Sequence, residues 1–283
     1  MVKQLFRSFI VDRRINPYLI FMIVPALAVF TAFFLLPLAR LAITSAAGPS
    51  GLKIYLMSLT HPRYFTTLIN TIVLSAAVTL TTLLISGFSG VFLTRNDFPG
   101  KSFIVSMLTF PLAFPGVVVG FMIILLVGRQ GLLGDITKSM TGQKMVLAYS
   151  LTGLFLGYLY FSIPRVIITI MAAAEKLDPS LEEAARSLGA SPPLVIKDVL
   201  IPALIPGLIS SGAICFATSM GAFGTAFTLA TDIDVLPIVI YTEFTLLANI
   251  STAAALSIVL GFITWIALSV ARAAAGNTVA AAG

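Results

Sequence analysis

Residues 182–202 read EEAARSLGASPPLVIKDVLIP, a polar and proline-containing stretch inside a strongly apolar chain. Just before it, Asp178 and Pro179 are typical of a helix start, because Asp accepts from free backbone N–H groups and Pro has no N–H to satisfy. Ser180 and Glu183 have the spacing of a capping box, which places a competing start two residues later. The stretch therefore predicts a short helix that begins at one of these two positions.

This helix is expected to end near Leu188, because Gly189 can adopt the left-handed conformation that closes a helix. Its apolar residues recur at helical spacing and form one stripe, with charged residues on the flanks or the opposite side. The stripe consists of Leu181, Ala184, Ala185 and Leu188, and the charged residues are Glu182, Glu183 and Arg186. A face of small residues lets a partner backbone approach closely but binds lipid weakly. Docking into a protein groove is therefore favoured over a solvated connector or a membrane-surface helix.

The composition of the whole chain indicates an integral membrane protein. Of its 283 residues, 58% are hydrophobic and 10% are charged, and the mean hydropathy is +1.05. A soluble domain carries about 25% charged residues. A single cysteine, Cys215, excludes an internal disulfide framework and a cysteine-based zinc site, and a single histidine, His61, excludes a metal-binding histidine pair.

Six apolar segments are long enough to cross a bilayer as helices, which takes about 20 residues each. They are residues 17–43, 66–93, 103–127, 145–173, 200–230 and 249–270. The predicted fold class is therefore an all-α integral membrane protein with six transmembrane helices, in which residues 1–283 form one domain. A second short helix over residues 194–200 is expected to link the polar stretch to the fifth segment.

Basic residues predict the orientation. Lys3, Arg7, Arg13 and Arg14 precede the first segment and place the N-terminus in the cytoplasm by the positive-inside rule. With alternating crossings, eleven Lys and Arg residues fall on the cytoplasmic side and six on the outer side. Both termini and the loop 174–199 are then cytoplasmic. The outer connections are residues 44–65, 128–144 and 231–248.

Prolines and glycines interrupt the apolar segments. Pro111 and Pro115 predict a break or kink in the third segment, where freed carbonyl groups must be buried in protein or line a wet cavity. Two GxxxG patterns, at residues 116–120 and 153–157, indicate close helix packing, with packing inside the bundle favoured over a dimer interface.

Ionisable residues inside membrane segments are functional candidates, because they are costly there. Arg165 is one, although pairing with a carboxylate or extension toward the inner surface is favoured over contact with a solute. Asp232, Asp234 and Glu243 lie in the last outer loop, where contact with a partner protein is favoured over a solute site. Six side chains are candidates to line a solute pathway: Pro115, Tyr158, Ser219, Met220, Thr225 and Asn249.

The polar stretch resembles the EAA motif of permease subunits in binding-protein-dependent ABC importers, written E-A-A, three residues, G, nine residues, I-x-L-P. Glu183, Ala184 and Ala185 precede Gly189 with this spacing, and V-L-I-P at residues 199–202 replaces I-x-L-P with two aliphatic exchanges. The preceding LDPSLE is also similar to that family. So is the position of the motif, between the fourth and fifth of six membrane segments.

The resemblance implies a type I ABC importer permease with the MetI-like fold in a bacterial inner membrane. It further implies a second, homologous permease subunit, a cytoplasmic ABC ATPase dimer that contacts the EAA helix as a coupling helix, and a periplasmic solute-binding protein. The residues implied in coupling are Glu182, Glu183, Ala184, Ala185, Arg186, Leu188 and Gly189. ATP and Mg²⁺ would be bound by the ATPase, so no cofactor or metal is expected on this chain.

Other functions find little support in the sequence. Residues 100–102 read GKS like the end of a Walker A motif, but Arg95 stands where that motif needs glycine, so the chain is not expected to be an enzyme. No G-x-S-x-G elbow supports an intramembrane hydrolase, and no internal repeat supports a secondary transporter. Nucleic-acid binding is not expected, because no basic block with interleaved aromatic residues occurs.

The solute is expected to be small and polar. The segment MGAFGT at residues 220–225 is similar to permeases for polyamines, 2-aminoethylphosphonate, ferric iron, sulfate or thiamine. A polyamine, 2-aminoethylphosphonate or a similar amine is favoured, with sulfate, ferric iron and thiamine as alternatives.

Overall fold

A computed structural model describes residues 17–48, 50–229 and 233–275. The predictions for the basic residues before residue 17, for Asp232 and for the end of the tail lie outside the described residues. Within the described ranges the secondary structure is helical and includes no strand.

The helices follow one another with short connections. In chain order they are α1 (Pro17–Phe30), a π-helical turn (Thr31–Leu35), α2 (Leu36–Ala46), α3 (Lys53–Thr60), α4 (Pro62–Arg95), α5 (Lys101–Thr109), a 3₁₀ turn (Phe110–Ala113), α6 (Gly116–Val127), α7 (Leu132–Thr141), α8 (Leu151–Glu175), α9 (Ser180–Ser187), α10 (Pro192–Val195), a π-helical turn (Ile196–Leu200), α11 (Ile201–Met220), α12 (Gly224–Leu229), α13 (Leu236–Tyr241), a π-helical turn (Thr242–Leu246) and α14 (Ile250–Ala275).

Six helices of the described chain are long and apolar enough to cross a membrane. They are Ile23–Ala46, Pro62–Arg95, Gly116–Thr141, Leu151–Glu175, Pro192–Met220 and Ile250–Ala275. The predicted all-α architecture with six membrane helices is confirmed. Below, span 1 denotes α1 and α2, span 2 denotes α4, span 4 denotes α8, span 5 denotes α10 to α11, and span 6 denotes α14. Span 3 denotes α5 to α6, the third segment predicted from the sequence, whereas the third of the helices just given comprises α6 and α7.

Spans 2, 4, 5 and 6 form the centre of the bundle. Spans 2 and 4 pack along each other, and span 5 packs against both of them and against span 6. Fully buried Val78, Leu154 and Ile170 belong to the resulting core. Span 1 is different, because its described side chains are almost all exposed. An apolar surface of that kind suits lipid or another membrane protein.

The predicted third connection, residues 128–144, is not a simple loop. It contains α7, which carries Asp135 and Lys138, and Lys144 Nζ lies 2.8 Å from Asp135 Oδ1. The chain then stays non-helical to Ser150, later than predicted for the fourth span. The helix starts late because the N–H groups of Leu147 and Ala148 donate to the carbonyl of Val127, at the end of α6, at 2.9 and 3.1 Å.

The predicted outer connection over residues 231–248 is not a solvated loop throughout. Val235, Leu236 and Val239 are fully buried in α13 and just before it. The N–H of Leu236 donates to Thr71 Oγ1 of span 2 at 2.8 Å. An apolar run too short to cross the membrane therefore packs between spans 2 and 6 instead of lying in solvent.

Span 5 begins at Pro192, earlier than predicted, because the expected separate helix over residues 194–200 continues through a π-helical turn into α11. It ends at Met220, before a non-helical connection that leads to α12. The predicted break in span 3 is confirmed. Its helix stops after Ala113, and Phe114 and Pro115 adopt extended backbone angles before α6.

The two GxxxG patterns pack inside the bundle, as favoured from the sequence. A Cβ atom at Gly120 would lie 2.7 Å from Thr228 Cβ and 3.1 Å from the carbonyl oxygen of Thr225. A Cβ atom at Gly157 would lie 2.7 Å from Thr225 Cγ2. Spans 3 and 4 thus approach α12 closely because these positions carry no side chain.

This contact gives a first prediction. Gly120→Ala is expected to destabilise the purified permease by about 1–3 kcal/mol, because part of the clash is with backbone and cannot be relieved by rotation of a side chain. Gly261→Ala is the matched control, since a Cβ atom there meets nothing within 4 Å. Thermal unfolding in detergent measures the stability of both variants. Equal midpoints for the two variants would contradict the packing described here.

Candidate functional site

Helix α9 begins as the Asp178 alternative predicts. The Asp178 Oδ1 atom accepts a hydrogen bond from the N–H of Ser180 at 2.9 Å, and Ser180 is the first helical residue rather than the cap. This backbone hydrogen bond lowers the pKa of the Asp178 carboxyl from its ordinary value. A charged carboxylate in this position also suits the positive end of a helix.

The end of α9 is closed by Gly189, as predicted. Its φ is +87°, a left-handed angle that glycine adopts without steric cost. Its N–H donates to the carbonyl of Arg186 at 2.9 Å, and the N–H of Ala190 donates to that of Ala185 at 3.1 Å. A Cβ atom at Gly189 would meet nothing within 4 Å, so only the backbone angle selects glycine here.

The apolar stripe of α9 is uncovered. Leu181 is 53% exposed, Leu188 is 89% exposed, and Ala184 is also exposed, whereas Ala185 is half-buried. Glu183 and Arg186 are exposed beside the stripe. An amphipathic helix normally buries its apolar side. This surface, which we call the α9 face, is therefore available to another chain.

Glu182 is placed differently from the other residues of the predicted coupling set. It is only 9% exposed, and its Oε1 atom lies 2.7 Å from Arg95 Nε at the end of span 2. Arg95 Nη2 also donates to the carbonyl of Leu177, just after span 4, at 3.3 Å. Glu182 thus faces its own bundle, and Arg95 connects α9 to the C-terminal ends of spans 2 and 4.

A second site lies where spans 3 and 5 are interrupted. Hydroxyl groups from neighbouring helices donate to backbone carbonyls beside these interruptions. Thr225 Oγ1 donates to the carbonyl of Gly116 at 3.0 Å, and Thr228 Oγ1 donates to that of Val117 at 3.3 Å. Tyr158 OH donates to the carbonyl of Ala222 at 2.7 Å. These bonds satisfy backbone groups that would be costly to leave unpaired at membrane depth.

Beside these bonds lies a cavity of about 250 Å³. One water molecule needs only about 10–15 Å³ of such volume, so the cavity has room for a small solute. Its lining residues come from spans 3, 4 and 5 and from α12: Pro111, Leu112, Phe114, Gly116, Phe161, Arg165, Thr218, Ala222, Gly224 and Thr225. We call it the break cavity.

Arg165 is the charged residue of the break cavity. It lies ten residues before Glu175, the end of span 4, which corresponds to roughly 15 Å of helix and to about half of a ~30 Å hydrocarbon core. A charged side chain that faces lipid at this depth costs about 2.5–3.5 kcal/mol or more. The exposed side of Arg165 is therefore expected to face protein or water rather than lipid.

The predicted pathway residues are only partly brought together. Thr225 lines the break cavity, and Pro115 lies at the break itself. Tyr158, Ser219 and Met220 are buried inside the bundle. Sequence reasoning singled out Arg165 but favoured other roles for it. It missed Phe161 and Thr218, which only the packing of spans 4 and 5 reveals.

The last predicted group lies beside the start of span 2, at the end of that span opposite to Arg95. Asp234 is exposed and its Oδ2 atom lies 3.7 Å from Arg63 Nε. Glu243 is buried, contrary to the expectation of a solvated loop, and accepts hydrogen bonds from Tyr64 OH at 2.8 Å and from Asn249 Nδ2 at 3.1 Å. Asn249 is thus held at the start of span 6, away from the break cavity.

Comparison with known sequences identifies a family and several relatives. The family described as binding-protein-dependent transport system inner membrane component matches residues 83–277. The molybdenum transport system permease protein ModB of Escherichia coli (strain K12) is 36% identical over 177 residues, which cover 62% of this chain and 76% of that protein. PhnU of Salmonella typhi, named provisionally as a 2-aminoethylphosphonate transport system permease protein, is 28% identical over 266 residues, 92% of each chain.

Solved structures share the fold. A chain of a bacterial alginate ABC transporter, crystallised in complex with an alginate pentasaccharide-bound periplasmic protein, superposes with a TM-score of 0.79 at 16% identity, covering 90% of this chain and 92% of that one. A chain of the MetNI methionine ABC transporter in an inward-facing conformation gives a TM-score of 0.51 at 19% identity, covering 74% of this chain and 96% of that one.

The inward position of Glu182 gives a second prediction. Glu182→Gln removes the charge that faces Arg95, at a cost of about 1–3 kcal/mol to the docking of α9 on its own bundle. Amide hydrogen exchange over residues 180–187 of the purified permease should become faster. Glu183→Gln is the matched control on the exposed side of the same helix and should leave exchange unchanged. Unchanged exchange in Glu182→Gln would contradict a role of the contact between Glu182 and Arg95 in holding α9 on its bundle.

Proposed function

This chain belongs to the family of binding-protein-dependent transport system inner membrane components, and we propose that it imports a small polar solute while an ATPase on another chain drives it through α9. It is a multi-pass permease subunit of an ABC importer in the inner membrane. The proposal rests mainly on the α9 face, which is apolar, narrow, built partly of alanine and uncovered.

The α9 face fits a protein groove better than it fits lipid or solvent. Small side chains such as Ala184 and Ala185 let a groove approach the helix backbone, and Glu183 and Arg186 supply charged hydrogen-bonding groups beside it. The partner proposed is the cytoplasmic ATPase dimer, which would hold ATP and Mg²⁺. The cytoplasmic location of both chain termini remains a prediction from the positive-inside rule.

The connections of α9 suit the transmission of a displacement. After Gly189, the chain enters α10, which continues without interruption into α11. On its other side, α9 is tied through Glu182 and Arg95 to span 2, and through Leu177 to the end of span 4. A shift of α9 by a closing ATPase would therefore move the nearby ends of spans 2, 4 and 5, and spans 4 and 5 line the break cavity.

The remaining partners are a second, homologous permease subunit and a periplasmic solute-binding protein. The exposed side of Arg165 supports the first, because a charge at mid-depth needs a protein or aqueous neighbour rather than lipid. For the alginate transporter of similar fold, the complex includes a periplasmic protein loaded with its saccharide. A delivery protein of the same kind is proposed here for a smaller solute.

The names of related permeases support a proposal for the class of solute. Those named above concern molybdenum and 2-aminoethylphosphonate, and a chloroplastic sulfate permease of Chlamydomonas reinhardtii is 38% identical over 141 residues, 50% of this chain and 37% of that one. The preference for an amine that arose from the sequence remains compatible with 2-aminoethylphosphonate, which carries both an amine and a phosphonate. We propose that the solute is a small polar compound similar to those named for these permeases.

The turn at Gly189 gives the third prediction. Gly189→Val places a β-branched residue at φ +87°, which costs at least about 1–2 kcal/mol, and α9 should be displaced from its docked position. ATP-dependent uptake by the reconstituted importer and recovery of the ATPase with the affinity-tagged permease should both fall, with the spans still inserted.

Gly189→Asn is the matched control, because asparagine tolerates left-handed angles better than other side chains do. It should retain most of the uptake and most of the bound ATPase. If Gly189→Val and Glu183→Lys both retained assembly and transport, α9 would not be the coupling element.

A further inference from the structure

We propose that the break cavity is an anion-binding site on the transport route, in which Arg165 binds the oxyanion group of the solute, such as a sulfate, a molybdate or a phosphonate. This inference rests on the proposed import function and specifies its solute. In this proposal the guanidinium group of Arg165 binds the anion transiently as the solute passes the interruptions of spans 3 and 5.

The charge of Arg165 is not neutralised within the described part of the chain. No described carboxylate lies within 4.0 Å of its guanidinium, whereas Arg63, Arg95 and Lys144 each have an acidic partner at or within that distance. Arg165 also lies ten residues before Glu175, the end of span 4, roughly 15 Å along the helix. An unpaired cationic side chain in the middle of a membrane span, facing a cavity, is expected to bind an anion.

The backbone around the cavity disfavours a cation as the ligand. Interrupted membrane helices typically bind cations with free carbonyl oxygens. Here the carbonyls of Gly116 and Ala222, which both line the cavity, accept hydrogen bonds from Thr225 and Tyr158. Two of the carbonyl oxygens beside the cavity thus already accept a hydrogen bond, and the guanidinium would repel an ammonium group.

The side chain itself is suited to oxyanions. A guanidinium presents its N–H groups as a planar fork, which matches two oxygens of a carboxylate, phosphate or similar group at once. The remaining wall includes Leu112, Phe114 and Phe161, and such apolar neighbours strengthen a charge interaction by lowering the local dielectric.

Few other donors compete or add to this contact. The hydroxyl of Thr218 donates to the carbonyl of Cys215 at 3.0 Å, and the hydroxyl of Thr225 donates to the carbonyl of Gly116. Arg165 is then the dominant side-chain donor of the cavity. A site with one strong contact suits transport, since binding must be weak enough for the solute to leave.

The first test uses the complete importer in proteoliposomes, with its ATPase, second permease subunit and solute-binding protein. Sulfate, molybdate, 2-aminoethylphosphonate and putrescine are offered as radiolabelled solutes. Arg165→Gln should lower uptake of the transported oxyanion by about tenfold or more, as expected for loss of one charge-assisted contact. Arg165→Lys should fall between Gln and the wild type, because it keeps the charge without the fork.

Arg272→Gln is the matched control, because Arg272 is exposed in the last turn of span 6, outside the break cavity, and its loss should leave uptake unchanged. Uptake at the wild-type rate by Arg165→Gln would overturn the proposal. So would transport of putrescine alone by the wild type.

The second test needs no variant and no ATP. Arginines of the wild-type complex are modified with phenylglyoxal and quantified by peptide mass spectrometry. Sulfate, molybdate or 2-aminoethylphosphonate should protect Arg165 severalfold relative to exposed Arg186, whereas chloride at matched ionic strength and putrescine should not. If no oxyanion protects Arg165, or if it reacts only after the two permease subunits are separated, it serves the subunit interface and the proposal is wrong.

The two tests separate the anion site from the import function. Protection of Arg165 without ATP-dependent uptake of any solute would retain the site and refute the importer role. ATP-dependent uptake without protection of Arg165 would retain the importer role and refute the anion site.

Discussion

The hydrocarbon core of a membrane leaves no backbone polar group free, and the rest of this structure depends on how two interrupted spans meet that requirement. Span 3 breaks at Pro115 and span 5 ends at Met220, which frees carbonyl groups at mid-depth. Tyr158 donates to the carbonyl of Ala222 in the connection after span 5, and Thr225 donates to that of Gly116 at the start of α6. The same bonds fix α12 against spans 3 and 4 and leave beside them the cavity that Arg165 faces.

At the end of the molecule that carries α9 a different constraint applies, because α9 lies outside the apolar bundle. One side of α9 is held by the ion pair of Glu182 with Arg95, and the opposite side exposes Leu181, Ala184 and Leu188. The helix is thus fixed to its own bundle and open to another chain at the same time. A continuous helical path from Pro192 to Met220 then links this end to the level of the break cavity.

Features set by local chemistry were predictable from the sequence. The Asp178 start and the Gly189 turn depend on a few adjacent residues, and six apolar segments of sufficient length determined the fold class. The break at Pro115 follows from the properties of proline. Features set by distant contacts were not predictable. Arg95 and Glu182 are far apart in the chain, and only the packing of spans 2 and 4 brings them together. The burial of α13 was missed because a short apolar run beside aspartates reads as a loop.

The central claim is that the α9 face binds the ATPase, and site-directed photo-cross-linking tests it most directly. In a Cys215→Ser background, Ala184→Cys carries a maleimide-linked benzophenone, and Ser139→Cys on α7, predicted to be at the opposite end of the bundle, carries the same probe as a control. Irradiation of the complete importer should join the permease to the ATPase from residue 184 and not from residue 139. Equal yields from both positions, or no ATPase product from residue 184, would contradict the account.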